Sequence, residues 1–160
     1  MSDEQESEVV EIKITLDSVY DNEPPKYEIL LNDEVVSYGI VEEKEKDNNE
    51  KVITFEKELS EGEHVLKIRL LEKKPKHTIV DENNNILSDQ ILNIKQIEID
   101  EIELDYLFYS LGKYHKQTGF GKNLEFDENP LPEPYKNLGY NGEWRLTFSV
   151  PTYIWFLENL

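Results

Sequence analysis

The sequence predicts an all-β protein built as an antiparallel β-sandwich. Three observations support this fold class. Several short segments alternate apolar and polar residues, turn-forming residues separate these segments, and the chain of 160 residues contains no alanine. Alternation with a period of two is typical of strands with one buried face. Alanine is the strongest helix former, so its absence disfavours a helical fold.

The first predicted strands lie in the N-terminal part of the chain. Apolar residues occupy every second position from Val10 to Leu16, which predicts a half-buried strand. The segment KYEILL predicts the next strand. It ends at Asn32-Asp33, a pair that favours a tight turn between two antiparallel strands.

The central part predicts a hairpin and a bent strand. The segments VITFEKELS and HVLKIRLL flank a turn at residues 60–63, where Gly62 suits a positive φ. In ILNIKQIEIDEIEL the apolar phase changes between Ile94 and Ile97, which predicts a bulge or a bend. The hairpin supplies four predicted core residues: Ile53, Phe55, Leu66 and Ile68.

Residues 106–142 predict a long ordered loop or insertion on the sandwich surface. Aromatic residues are mixed there with glycines and with Pro130, Pro132 and Pro134, which exclude a helix or a central strand at that point. The next segment, GEWRLTFSV, alternates cleanly and adds three predicted core residues: Trp144, Leu146 and Phe148. The last segment, TYIWFLENL, is compatible with a terminal strand or with a helical turn.

The N-terminal composition and the hydropathy of the chain predict its domain organisation and its location. Residues 1–8 are polar and acidic and predict a disordered tail, and residues 9–160 predict a single domain. The N-terminus lacks the basic start and apolar run of a secretory signal, so the expected location is a virion, or otherwise the cytoplasm. An apolar run of about 20 residues, which a membrane-spanning helix requires, is absent from the sequence.

The net charge of the chain limits the kinds of molecule that we expect the protein to bind. The chain has 35 acidic and 17 basic residues, which gives a formal net charge of -18. Such a charge repels phosphate backbones and anionic lipids, so neither nucleic acid nor a membrane is an expected partner. Divalent cations, a basic protein or a neutral polysaccharide remain compatible with it.

The sequence predicts a protein that is not an enzyme. Cysteine is absent, and the three histidines, His64, His77 and His115, are scattered along the chain. The chain has no serine in a nucleophile-elbow motif, no histidine pair with zinc-ligand spacing and no glycine-rich phosphate loop. Pairs of carboxylates carry no weight here because acidic residues are so numerous.

Asp81, Asn83 and Asn85 are candidate ligands for Ca²⁺. Their spacing matches the start of a calcium loop that binds through side-chain oxygens. Ile86 and Leu92 stand where such a loop has glycine and glutamate. A weak calcium site and a simple Asn-rich hairpin tip both remain open.

Aromatic and amide side chains near the C-terminus are candidates for binding a sugar or a protein partner. Sugar binding uses flat aromatic faces together with polar hydrogen-bonding groups. The alternative is that these aromatic residues anchor a loop on the sheet. The candidates are Tyr109, Tyr114, Tyr135, Tyr140, Asn137 and Asn141.

Three successive segments, YEILLNDEVV, FEKELSEGEHVLKIRLL and ILNIKQIEIDEIEL, resemble the strand pattern of small calcium-dependent xylan-binding modules. The resemblance covers residues 9–105 and implies a jelly-roll sandwich like that of carbohydrate-binding modules, with a cation that contacts sugar hydroxyls. The C-terminal NLGYNGEWRLTFSVPTYIWFLENL looks like small sandwich proteins of T4-like and other large tailed phages. Abundant Lys, Asn, Ile and Glu suggest a gene of low GC content, which agrees with a phage origin.

Two functional hypotheses follow. The first is a non-enzymatic structural or adhesion module of a phage virion, used in decoration, tail or fibre, with virion or other structural proteins as partners. Homo-oligomerisation is then a further expectation, because virion shells and fibres are symmetric. The alternative is a carbohydrate-binding domain, assisted by Ca²⁺ in one form of the hypothesis, that attaches to neutral polysaccharide.

Overall fold

A computed structural model describes residues 6–132 and 136–159. In these ranges the chain is an antiparallel β-sandwich, which confirms the predicted all-β fold class. In chain order the strands are β1 (Ser7–Val19), β2 (Lys26–Leu31), β3 (Glu34–Ile40), β4 (Lys51–Ser60), β5 (Gly62–Leu71), β6 (Ile79–Val80), β7 (Ile86–Ser88), β8 (Ile91–Ile99), β9 (Ile102–Glu103), β10 (Lys113–Gly119), β11 (Glu125–Phe126), β12 (Asn137–Leu138) and β13 (Gly142–Val150). The α-helices are α1 (Tyr106–Leu111) and α2 (Thr152–Asn159), and single 3₁₀ turns cover Glu45–Asp47, Pro75–His77 and Gly121–Asn123.

Two sheets enclose the core. Sheet A has the strand order β12-β8-β1-β4, with β9 beside β8. Sheet B has the order β11-β10-β13-β5-β2-β3, and β6 and β7 form a small separate hairpin. Side chains from both sheets and from the two α-helices form a single hydrophobic core.

Most of the predicted core residues lie inside this core. Ile53 and Phe55 are only half-buried and pack against its margin, because β4 is an edge strand of sheet A. Trp155, on α2, is also buried and lies edge-on to Phe148. The fully buried members of the predicted set are Trp144, Leu146, Phe148, Leu66 and Ile68.

The predicted hairpin between β4 and β5 is wrong. β4 pairs with β1 in sheet A, whereas β5 pairs with β2 and β13 in sheet B. Gly62 has φ +123° and turns the chain from one sheet to the other. A glycine turn between two amphipathic strands gives the same sequence pattern in a hairpin and in an arch between sheets.

The segment predicted as a long loop, residues 106–142, differs from that prediction. It contains α1, β10, β11 and β12, and β10 is an interior strand of sheet B. β10 runs alongside β13, from Lys113 opposite Arg145 to Lys116 opposite Gly142. The surrounding aromatics and glycines hide the short alternation of this strand in the sequence.

The predicted disordered tail extends too far. β1 begins at Ser7, whose backbone lies opposite Ser60 of β4, so residues 7 and 8 belong to a strand. Backbone pairing with β4 orders these two residues although the polar composition of the segment favours disorder. Residues 1–5 lie outside the described ranges.

Local turn and bulge predictions are confirmed. Asn32 and Asp33 have φ of 51° and 71° and connect β2 to β3. The pairing of β1 with β8 shifts between Thr15 and Leu16, next to the phase change seen in β8. The C-terminal segment forms the helix α2. No α-helix within residues 6–132 or 136–159 has the length and hydrophobicity needed to cross a lipid bilayer.

We expect Gly142→Ala to lower the free energy of unfolding by about 1–3 kcal/mol, the usual effect of overpacking. A Cβ atom at Gly142 would lie 2.6 Å from the carbonyl oxygen of His115 and 2.8 Å from the Tyr114 ring. Gly139→Ala is the matched control, because no atom of the described residues lies within 4 Å of a Cβ there. Urea unfolding measures both variants, and equal stabilities would contradict this account of the β10–β13 contact.

Candidate functional site

A cross-strand row of polar side chains runs over the outer face of sheet B. Directly opposed residues on paired strands share one face of a sheet. The pairing places Tyr38, Glu28, Arg69, Glu143 and His115 next to one another across five strands. Arg69 joins the middle of this row, since it donates hydrogen bonds of 2.6 Å to both Glu28 and Glu143.

Glu143 is the electrostatic centre of the outer face. Its side chain is only 1% exposed and also accepts a 2.5 Å hydrogen bond from Arg145. Arg69 and Arg145 are the only arginines of the chain. The Phe126 ring covers the Arg69 guanidinium at 4.9 Å, a favourable cation–π geometry. The buried charges here are therefore mutually compensated.

Tyr38 and Glu28 of this row also line a surface cavity of about 660 Å³, which we call the cleft. Tyr38 and Ile40 of the edge strand β3 form one wall, and Phe120 and Leu124 form another. All four side chains are exposed, with Tyr38 at 78% and Phe120 at 67%. The cleft thus combines two accessible aromatic rings, which suit contact with a flat apolar face of a ligand.

Two glycines place Phe120 at this wall. Gly119 lies so close to the following turn that a Cβ atom would be 2.0 Å from the carbonyl oxygen of Asn123. Gly121 has φ +66°, a left-handed conformation that glycine adopts easily. The chain therefore leaves β10, turns tightly at residues 121–123 and presents the Phe120 side chain to solvent.

Gln117 forms a polar part of the cleft. Its side chain is 9% exposed, and its Nε2 donates a 2.9 Å hydrogen bond to the carbonyl oxygen of Gly119. Its Oε1 is buried and has no hydrogen-bond partner among residues 6–132 and 136–159. Gln90 Oε1 and Trp144 Nε1 are also unpaired within the same ranges, but neither residue lines the cleft.

Asn141 fixes the floor of the cleft. Its Oδ1 accepts a 2.7 Å hydrogen bond from the backbone of Lys73, and its Nδ2 donates a 2.8 Å bond to the carbonyl oxygen of the same residue. The Lys73 ammonium is held in turn by Asp89 and by the carbonyl oxygen of Gly139, each at 2.6 Å. Asn141, a predicted ligand residue, thus lines the cleft and also holds the backbone of Lys73.

A second cavity of about 490 Å³ adjoins the cleft. Tyr140, 59% exposed, and Ile86, on β7, line this cavity but not the cleft. Five residues line both spaces: Lys73, Lys74, Gln117, Phe120 and Asn141.

Tyr114, another predicted ligand residue, lies in the core. Tyr114 is fully buried opposite Trp144, and its hydroxyl donates to the carbonyl oxygen of Tyr140. Burial raises the pKa of this phenol. Its position on an interior strand makes it part of the core and not a ligand contact.

Tyr109 and Asn137 do not line the cleft. Tyr109, on α1, lines a small separate cavity next to β8. Asn137 lies on β12, which belongs to sheet A. Tyr135 lies outside the described residues.

The sequence-based search missed Tyr38, Phe120 and Gln117. Phe120 had a readable signal, because a large aromatic between two glycines is poorly suited to a strand interior. Tyr38 reads as an ordinary strand residue, and only its place on an edge strand makes it accessible. Nothing local in the sequence marks Gln117.

The predicted calcium ligands form a hydrogen-bonded turn at the tip of the β6–β7 hairpin. Asp81 Oδ1 accepts bonds of 2.8 and 2.9 Å from the backbone N–H groups of Asn83 and Asn85. The Asn85 side chain turns its nitrogen toward Asp81. These hydrogen bonds, chiefly those from Asn85, lower the pKa of Asp81. Within the described ranges, no three His, Cys, Asp or Glu side chains are grouped to hold a metal ion.

Comparison with protein-family models, curated protein sequences and solved structures gave no match to this chain. The likeness to xylan-binding modules and to phage proteins therefore depends on the sequence pattern alone, and it stays a prediction.

Glu23 stabilises the 3₁₀ turn that borders the second cavity. Its carboxylate accepts hydrogen bonds from Lys76 at 2.7 Å and from His77 Nε2 at 2.9 Å. The opposite nitrogen of His77 accepts a bond from the backbone N–H of Lys74, so the ring links Glu23 to a residue of the cleft. Lys76, and then His77, lower the pKa of Glu23 to about 2.

We expect Glu23→Gln to flatten the acid limb of the stability profile. A depressed carboxyl pKa contributes stability that is present above the unfolded value of 4.5 and is lost as the pH falls toward about 2. Urea unfolding across this range should show a shallower slope for the variant than for the wild type. Glu82→Gln, at the exposed β6–β7 tip, removes the same charge as a control. Identical slopes for Glu23→Gln and the wild type would refute the assignment.

Proposed function

We propose that the protein is a non-catalytic adhesion module that binds neutral polysaccharide in the cleft. The observation that carries this proposal is the pair of exposed rings, Tyr38 and Phe120, on the walls of a cleft with a buried amide in its lining. Sugar rings present one apolar face and several hydroxyl groups. A site for them therefore needs aromatic surface and hydrogen-bonding groups together.

Gln117 supplies the polar half of the site. An unpaired amide oxygen that is buried raises the free energy of the folded state by about 1–3 kcal/mol. A ligand hydroxyl that donates to Oε1 removes this penalty. Because Oε1 is buried in the unliganded chain, this contact requires a local rearrangement of the cleft lining.

The charges favour a neutral ligand. The net charge of -18 opposes the approach of acidic polysaccharides. The carboxylates that line the cleft are paired, Glu28 with Arg69 and Glu72 with Lys26. Lys26 lowers the pKa of Glu72. These ion pairs occupy the acidic groups that general acid–base chemistry would use, which agrees with a non-catalytic role.

Docking of a structural protein is a second candidate function. β3 is an edge strand of sheet B, and three of its apolar side chains, Val35, Tyr38 and Ile40, are exposed. Exposed edge strands pair with strands of other chains. A virion protein or a second copy of this chain is the partner that this hypothesis predicts.

Affinity gel electrophoresis through xylan, mixed-linkage β-glucan or mannan tests the polysaccharide proposal. We expect at least one polymer to retard the wild type, and Phe120→Ala to weaken that interaction about tenfold, equivalent to about 1.4 kcal/mol. Tyr153→Ala is the matched control, since Tyr153 is 62% exposed on α2 and does not line the cleft. No retardation in any polymer would overturn the proposal and favour protein docking.

Gln117→Leu separates binding from stability. We expect the same polymer to be bound about tenfold more weakly, because the acceptor is lost. The free energy of unfolding should change by less than about 1 kcal/mol, since an unpaired amide oxygen is removed together with one hydrogen bond. Binding equal to that of the wild type would exclude Gln117 from the site.

The gels are repeated with Ca²⁺ and with EDTA, and we expect no difference because the carboxylates of the cleft are already paired.

A further inference from the structure

We propose that the cleft and the second cavity form one trough, which binds an internal stretch of an extended polysaccharide and not a chain end. This inference depends on the proposed polysaccharide binding and specifies its substrate class. It also assigns distinct roles to three exposed aromatic residues: Tyr38, Phe120 and Tyr140.

The two spaces adjoin each other, because they share part of their lining. The cleft measures about 660 Å³ and the second cavity about 490 Å³, and five residues line both of them. A single small-ligand site typically has a volume of roughly 300–1,000 Å³. Each space is therefore large enough for a ligand portion of its own.

The aromatic residues follow one another along the trough. Tyr38 lines only the cleft, Phe120 lines both spaces, and Tyr140 lines only the second cavity. Their side chains are 78%, 67% and 59% exposed. Successive rings along an open trough provide successive contacts for the repeated units of one polymer. A site for a chain end needs only one of these positions.

The floor of the trough is rigid where the two spaces meet. Asn141 holds the backbone of Lys73 with two hydrogen bonds, and Gln117 donates its backbone N–H to the carbonyl oxygen of Asn141 at 2.9 Å. At the junction the backbone groups are thus held by hydrogen bonds. Phe120 also lines both spaces. Gln117 lines both spaces, and its buried Oε1 has no partner within the described ranges, so we assign this oxygen as the acceptor for a central sugar unit.

Isothermal titration calorimetry with xylo-, cello- and manno-oligosaccharides of two to six units tests the inference. In the series that binds, we expect the six-unit sugar to bind at least about tenfold more tightly than the two-unit sugar. Tyr38→Ala and Tyr140→Ala should each weaken binding of the six-unit sugar severalfold and leave that of the two-unit sugar unchanged. Phe120→Ala should weaken both, and Tyr153→Ala neither.

Three outcomes would overturn the inference. Equal affinities for the two lengths would show a site for a single unit or a chain end, while polysaccharide binding itself would stand. Loss of affinity in only one of the two tyrosine variants would confine the site to one cavity. Absence of binding by every sugar would remove the proposed function together with the inference. All three aromatic side chains are exposed, so circular dichroism spectra of the variants should match the wild type.

Discussion

The close packing of two glycines against the two largest buried side chains is the constraint on which the rest of sheet B depends. A Cβ atom at Gly112 would lie 2.6 Å from the Trp144 ring, and one at Gly142 would lie 2.8 Å from the Tyr114 ring. Tyr114 and Trp144 are paired across β10 and β13, and Phe108 stacks on Trp144 at 4.7 Å. Each ring therefore has space only because a glycine faces it.

This packing fixes the position of the candidate site. Once Tyr114 is set against Gly142, the register of β10 places Gln117 beside Asn141 at the end of the pairing with β13. Two residues further, Gly119 begins the tight turn that exposes Phe120. The wall and the floor of the cleft are thus consequences of one interior contact. A change at Gly142 would therefore alter the cleft although the glycine does not line it.

Patterns among residues close together in the sequence predicted much of the fold but little of the candidate site. The long strands other than β10, the Asn32-Asp33 turn and the bulge near Ile94 follow from patterns within a few residues, which a single sequence displays. The arch at Gly62 was misread because only pairing with distant strands separates an arch from a hairpin. Tyr114 was misread for a related reason, since its neighbours are polar while its partner Trp144 lies 30 residues away in the chain. Tyr38 and Gln117 meet in one cleft only through the order of strands in sheet B.

Gln117 has a role in the fold and a proposed role in ligand binding, and its buried Oε1 has no partner within the described ranges. An apolar residue would fit a nine-tenths buried position without leaving an acceptor unsatisfied. Trp144 Nε1 is also unpaired within the described ranges, but its ring is fully buried and stacked, so the large apolar contact of the indole accounts for its presence. Gln117 has no comparable apolar contribution. Its Nε2 stabilises the Gly119 turn, while its buried Oε1 has no partner within the described ranges, and the residue lines both cavities. In the proposed function, the same residue thus supports the Gly119 turn and provides the acceptor for a ligand hydroxyl.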